Sequence, residues 1–173
     1  MGDDRPTLVS RTAYERAGEP KEAWRLVLDV VDHVNALREG LFHVDEIPRR
    51  AWGVYFADYY LAQVRNGGHS QYIHNARDLA AMSRSALDAL DEMGAEALAA
   101  ILREMLDWAR AHPEEAGRQN GFEVRAPALD ALDARFYAVN DGAPMSVASA
   151  RWIAGWPDLK VIEDAGWRPP APR

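Results

Sequence analysis

Apolar residues recur three or four positions apart along most of this 173-residue chain, and glycine or proline separates one such run from the next. This spacing puts the apolar side chains on one side of an α-helix, where they can pack into a core. The pattern predicts helices at residues 20–40, 48–65, 78–93, 95–111, 126–139 and 146–154, with a short turn or helix at 69–75. We therefore expect an all-α fold, a compact single-domain bundle of about six or seven helices.

The ends of the chain lack this pattern. Residues 1–19 are polar without a clear period and are expected to form a flexible N-terminal arm, and the proline-rich residues 169–173 a disordered tail. Between them, residues 20–168 are predicted to form one helical domain. Within that domain we expect a loop at residues 113–125, and either a short strand or an extended docking segment at residues 159–162.

The composition excludes several classes of protein. The chain has no cysteine, which rules out disulfides, thiolate zinc sites and a cysteine nucleophile. No apolar stretch approaches the roughly 20 residues that a membrane helix needs, and no signal peptide is visible, so a cytoplasmic protein is expected. The net charge of −7 argues against direct binding to nucleic acid. Residues 1–77 carry a net charge of −1 and residues 78–173 carry −6, so the acidity lies in the second half.

The most distinctive segment is residues 59–75, where an apolar helix stops at two glycines and amide side chains follow. One interpretation is structural, because glycine and asparagine serve tight turns and amides satisfy loose backbone groups. The other is a ligand pocket with His69, Gln71 and His74 as polar contacts. The residues of the motif are Asn66, Gly67, Gly68, His69, Gln71, Tyr72 and Asn75.

No arrangement of residues points to catalysis or to a metal. His69 and His74 are five positions apart, about 140° around a helix, so they do not share a face. The chain lacks the nucleophile elbow and the phosphate-binding glycine motifs. Asp58 lies in an apolar helix and could be a general base, but a surface ion pair with Arg50 or Arg65 is the favoured interpretation. We predict no catalytic residues, no metal and no cofactor.

Two predicted helices, residues 78–93 and 95–111, turn carboxylates away from their apolar sides. Between residues 78 and 107 there are seven acids and two bases. Such a surface is either an ordinary solvated face or an electrostatic imitation of DNA, whose phosphates it would replace on a basic protein. The residues predicted to contact a partner are Asp88, Asp91, Glu92, Glu96, Glu104 and Asp107.

The Asn-Gly-Gly-x-x-Gln-Tyr-x-x-Asn core of residues 59–75 resembles the signature of the bacterial DNA-mimic protein family (DMP-nineteen-like), a domain of unknown function. The resemblance continues in residues 87–95, 99–102 and 129–137, and covers roughly residues 50–140. It implies an all-helical fold. For some members it also implies that an acidic surface occupies the site of a DNA-binding protein. It implies a scaffolding role for the signature residues.

Together these observations favour a non-enzymatic interaction protein that binds a basic protein, either a DNA-binding protein or a nuclease, and leave open a homodimer. One alternative is an immunity or antitoxin-type inhibitor of a basic nuclease, which relies on the same electrostatics. The other is a small-molecule or enzymatic pocket around the Asn-Gly-Gly turn. A direct complex with nucleic acid or a membrane is not expected.

Overall fold

A computed structural model describes residues 5–164. Eight α-helices and two short strands lie within these residues. In chain order the elements are β1 (Thr7–Ser10), α1 (Arg11–Glu15), α2 (Trp24–Glu39), a 3₁₀ turn (Val44–Glu46), α3 (Arg49–Asn75), α4 (Leu79–Glu92), α5 (Glu96–Ala111), α6 (Pro113–Ala116), α7 (Pro127–Gly142), α8 (Met145–Ala154) and β2 (Leu159–Ile162). The predicted all-α fold class is confirmed. No helix among the described residues is both long enough and apolar enough to cross a membrane.

The predicted helices form because their local signals agree with their packing. Asp78 precedes α4 in an extended conformation and accepts a hydrogen bond from the backbone N–H of Ala81, which is the N-cap arrangement. At the other end of α4, Gly94 follows the last turn with φ of +74°, as is common just after a helix C-terminus. The helix predicted up to residue 139 continues to Gly142, and α6 begins at Pro113 inside the predicted loop. On α2, Trp24 and Leu28 continue the apolar period but are more than 40% exposed.

The two strands were only partly expected. β1 pairs in parallel with β2, and Thr7 lies opposite Leu159. The pairing confirms the strand alternative at residues 159–162. It also differs from the flexible arm predicted for residues 1–19, because the side chains of Thr7 and Val9 are fully buried. The partner strand lies about 150 residues further along the chain, so no local pattern in the arm could reveal it.

The described residues form two compact units. Unit 1 contains residues 5–55 and 146–164, and unit 2 contains Phe56–Met145. The core of unit 1 gathers the buried face of α2, residues from the start of α3, and α8. Its fully buried members include Val9, Leu26, Val30, Val34, Leu37, Ala51 and Ile153. The prediction of a single domain over residues 20–168 stays a prediction, and the predicted tail at 169–173 lies outside the described residues.

Unit 2 is built around aromatic rings from α3 and α7. Tyr60 packs edge-on against Tyr72 and Phe136, with ring centroids 5.0 and 5.6 Å away. The three rings are fully buried, and such contacts add to the apolar area that they remove from water. The apolar faces of α4 and α5 complete this core with Leu90, Leu98, Ile101, Leu102 and Met105.

Candidate functional site: the Asn-Gly-Gly bend and the acidic helices

The bend in α3 is made by Gly67 and Gly68, which depart from helical geometry. Gly68 has φ of +73°, a region that side chains rarely adopt. A Cβ atom on Gly68 would lie 2.0 Å from Asp133 Oδ2, and one on Gly67 would lie 2.2 Å from Gln71 Oε1. Both glycines are therefore needed because other side chains occupy the space beside them. The predicted interruption after Asn66 is thus present as a bend between two helical segments.

A buried hydrogen-bond network follows directly after the bend. The carboxylate of Asp133 accepts from the backbone N–H of His69 at 2.8 Å and contacts its ring Nδ1 at 2.5 Å. With Nδ1 donating to the carboxylate, Nε2 accepts from the hydroxyl of Tyr60 at 2.8 Å. The other oxygen of Asp133 accepts from Arg125 at 2.7 Å. Burial raises the pKa of Tyr60 well above its ordinary value, so the hydroxyl keeps its proton.

This network joins α3 to α7 and excludes His69 from any open pocket. The His69 side chain is fully buried, whereas His74 is exposed. Of the three predicted polar contacts, His69 therefore lies in the core and His74 lies at the surface. Within residues 5–164, no three histidine or acidic side chains gather as a metal ion would require.

The amide side chains around the bend bond to one another. Asn66 Nδ2 donates to Gln71 Oε1 at 2.9 Å. Gln71 Nε2 donates in turn to Gln63 Oε1 at 2.9 Å, and Asn75 Nδ2 donates to the same oxygen at 2.7 Å. Tyr72, the remaining motif residue, is buried with its hydroxyl 2.9 Å from that of Ser83. These contacts agree with a scaffolding role for the motif.

The loop between α6 and α7 is attached to this scaffold. The Ser70 hydroxyl accepts from the Gly121 N–H at 2.9 Å and donates to the Val124 carbonyl at 3.0 Å. Asn120 Oδ1 accepts from three successive backbone N–H groups, those of residues 122–124, each at 3.0 Å. The hydrogen bonds of Ser70 and Asn120 therefore hold the conformation of the loop. The side chain of Phe122 is 75% exposed.

A cleft of about 560 Å³ lies between the bend and this loop. Its lining residues are Asn66, Gln71, His74, Asn75, Asn120, Phe122 and Glu123. Of the pocket residues proposed from the sequence, Gln71 and His74 line the cleft and His69 does not. Sequence reasoning missed the residues from the loop. The only local signal was the Asn120-Gly121 pair, which indicates a turn but not what the turn faces.

The six carboxylates predicted to contact a partner are all exposed on α4 and α5. Asp91, Glu104 and Asp107 have guanidinium partners that the sequence pattern did not assign. Asp91 pairs with Arg103 at 2.5 Å, and Asp107 pairs with Arg110 at 2.7 Å.

Glu104 is held by both terminal nitrogens of Arg135, at 2.5 and 2.8 Å. These hydrogen bonds lower the pKa of Glu104. Arg135 comes from α7, so no inspection of residues 78–107 could have revealed this pair.

The acidic charge is concentrated in unit 2. Residues 56–145 contain 14 acidic and 8 basic residues, a net charge of −6, and the remainder of the chain carries −1. All eight bases of unit 2 are arginines, and the only two lysines of the chain are Lys21 and Lys160. The uneven distribution of acidic charge along the sequence therefore matches the division of the structure into two units.

The expected surface pair of Asp58 does not form. Arg50 lies 3.5 Å from Asp158 instead, and Asp58 makes no ion pair with Arg65. Burial raises the pKa of Asp58 above its ordinary value. The helical spacing predicted that Asp58 lies near Arg50 and Arg65 along α3. It could not predict that Asp158, which is distant in sequence, pairs with Arg50.

No curated protein and no solved structure matches this chain. The model of one protein family, described as DMP19-like protein, matches residues 45–156 and so spans the bend, the cleft and both acidic helices. The resemblance inferred from the motif is confirmed, and the chain belongs to the DMP19-like protein family.

Proposed function

We propose that this chain is a non-enzymatic interaction protein. Its acidic face binds the DNA-binding surface of a basic protein. The acidic face consists of Asp88, Asp91, Glu92, Glu96, Glu104 and Asp107. The observation that carries the proposal is that all six carboxylates are exposed on α4 and α5. The opposite sides of these helices are buried in unit 2. Membership of the DMP19-like family supports the same function.

The arginine partners reduce this charge without removing it. Arg103, Arg110 and Arg135 pair with Asp91, Asp107 and Glu104, three of the six carboxylates of the acidic face. Exposed ion pairs of this kind are weak because water and salt screen them, so a basic partner can compete for the carboxylates. DNA-binding proteins contact some 6–10 phosphates. The acidic face would therefore cover only part of such a site.

The experiment is a pull-down from the native lysate with the purified chain as bait, at low and at high salt. Captured proteins are identified by mass spectrometry and then challenged with duplex DNA. We expect a basic DNA-binding protein that high salt releases, since exposed charges are screened beyond about 10 Å at 0.1 M. We also expect the duplex to displace it. A nuclease among the captured proteins would favour the inhibitor alternative.

The contribution of the acidic face is tested by neutralising three of its carboxylates other than those that pair with Arg103, Arg110 and Arg135. The variant combines Asp88→Asn, Glu92→Gln and Glu96→Gln. A matched control combines Glu19→Gln, Glu39→Gln and Asp45→Asn, which remove the same charge from unit 1.

We expect the first variant to lose the captured protein and the control to retain it. Equal capture by both variants would show that the acidic face is not the binding site.

A further inference from the structure

The cleft beside the Asn-Gly-Gly bend is rich in unused hydrogen-bond acceptors. Asn66 and Asn75 each donate an amide N–H to a neighbouring glutamine. Their carbonyl oxygens Oδ1 accept no hydrogen bond from residues 5–164. Because each carbonyl oxygen has two lone pairs, these two side chains offer acceptors to a ligand.

The cleft also contains an acid without a cation. The Glu123 carboxylate forms no ion pair with the described part of the chain, unlike Asp91, Glu104 and Asp107. None of the residues that line the cleft is an arginine or a lysine. A ligand that carries a phosphate or a carboxylate would therefore meet repulsion here, and a cation would meet attraction.

An exposed aromatic ring accompanies these polar groups. Phe122 is 75% exposed, more than any other aromatic side chain in residues 5–164. The three backbone hydrogen bonds to Asn120 and the attachment through Ser70 hold its loop in place. An aromatic ring next to an acid and two amide carbonyl oxygens is suited to a planar cation, which stacks on the ring while its N–H groups donate at the edge.

We propose that this cleft binds a guanidinium group, that is, the side chain of an arginine. A guanidinium is planar, permanently charged and carries five N–H donors, which complements Phe122, Glu123 and the two asparagine carbonyls. The cleft volume of about 560 Å³ lies within the usual range for ligand sites. The proposal shares no residue with the acidic face and does not depend on it.

The test is a titration followed by two-dimensional NMR of the full chain. The probe is the capped peptide acetyl-Gly-Arg-Gly-amide, and its isosteric, uncharged counterpart contains citrulline. We expect the arginine peptide to shift the side-chain amide signals of Asn66 and Asn75 and the backbone signals of Phe122 and Glu123. We expect the citrulline peptide to bind about tenfold more weakly, since it loses both the ion pair and the cation–π contact. Equal binding of the two peptides would overturn the proposal.

Variants of two exposed side chains locate the site. We expect Phe122→Ala and Glu123→Gln each to weaken the arginine peptide about three- to fivefold, and Phe122→Tyr to retain the parent affinity. The matched control Glu115→Gln removes one charge outside the cleft and should change nothing. Unchanged affinity in both Phe122→Ala and Glu123→Gln would refute the assignment.

A further arm distinguishes the two sources of the guanidinium. Free L-arginine carries an additional carboxylate, which the cleft should disfavour. Tighter binding of the capped peptide therefore assigns the site to an arginine on a protein, whereas tighter binding of free L-arginine assigns it to a metabolite. Binding of neither at millimolar concentrations would overturn the proposal.

Discussion

At the scale of single residues, the Asn-Gly-Gly motif acts through the space that its glycines leave. The missing side chains at Gly67 and Gly68 allow Gln71 and Asp133 to reach the backbone. A motif that looks like a loop in the sequence therefore marks a close approach of α7 to α3. The polar residues after it then either satisfy the buried network or line the cleft.

Gly68→Ala should destabilise the protein much more than Gly94→Ala. Both glycines have φ near +74°, which costs a non-glycine residue about 1–2 kcal/mol. Only at Gly68 would the new Cβ meet another group, Asp133 Oδ2 at 2.0 Å, whereas nothing lies within 4 Å at Gly94. We expect a loss of about 3–5 kcal/mol at Gly68 and about 1 kcal/mol at Gly94. Urea unfolding monitored by circular dichroism measures both, and equal losses would contradict the close approach.

At the scale of elements, local patterns predicted what is locally determined. The spacing of apolar residues and the caps at Asp78 and Gly94 were enough to place α4 and α5, because a helix bonds to itself within four residues. β1 escaped prediction because its hydrogen bonds and the burial of Val9 depend on β2, at the other end of the chain. The Glu104–Arg135 pair and the loop side of the cleft were missed for the same reason.

Because β1 has a buried face and a partly exposed face, substitutions on the two faces should destabilise the protein to different extents. Val9 is fully buried in the core of unit 1, whereas Leu8, its neighbour on the strand, is only partly buried. We expect Val9→Ala to lower the free energy of unfolding by about 2 kcal/mol, from lost apolar burial and the cavity left behind. Leu8→Ala should lower it by less, although it removes more atoms. Urea unfolding measures both losses. A larger loss of stability in Leu8→Ala than in Val9→Ala would contradict the burial of the two side chains in the strand.

At the scale of the whole molecule, titratable groups divide between the surface and the core. Most acids of unit 2 are exposed, but unit 1 buries His33 completely. Burial lowers the pKa of His33 to about 4, and its Nε2 has no hydrogen-bond partner within residues 5–164. The backbone N–H of Leu8 points at the other nitrogen, Nδ1, at 3.5 Å. The imidazole is therefore held neutral.

This histidine predicts a loss of global stability in mild acid. The unfolded chain binds a proton near pH 6.5 and the folded chain only near pH 4, so stability is complete above pH 6.5 and falls as the pH is lowered towards 4. Between pH 7.5 and 5.0 we expect His33 to account for a loss of about 2 kcal/mol. Urea unfolding of the parent and of His33→Gln at both pH values isolates this loss. If the His33→Gln variant lost as much stability between the two pH values as the parent, the loss would not come from His33.

Lysine occurs only at Lys21 and Lys160, and these two positions decide where reagents that couple to lysine attach. Unit 2 has no side-chain amine at all, so a dye, a biotin or a sensor surface coupled through lysine attaches only to unit 1. Neither the acidic face nor the cleft would be chemically altered by such labelling. Acetylation or ubiquitination of a lysine in the cell could likewise never change the charge of unit 2 directly.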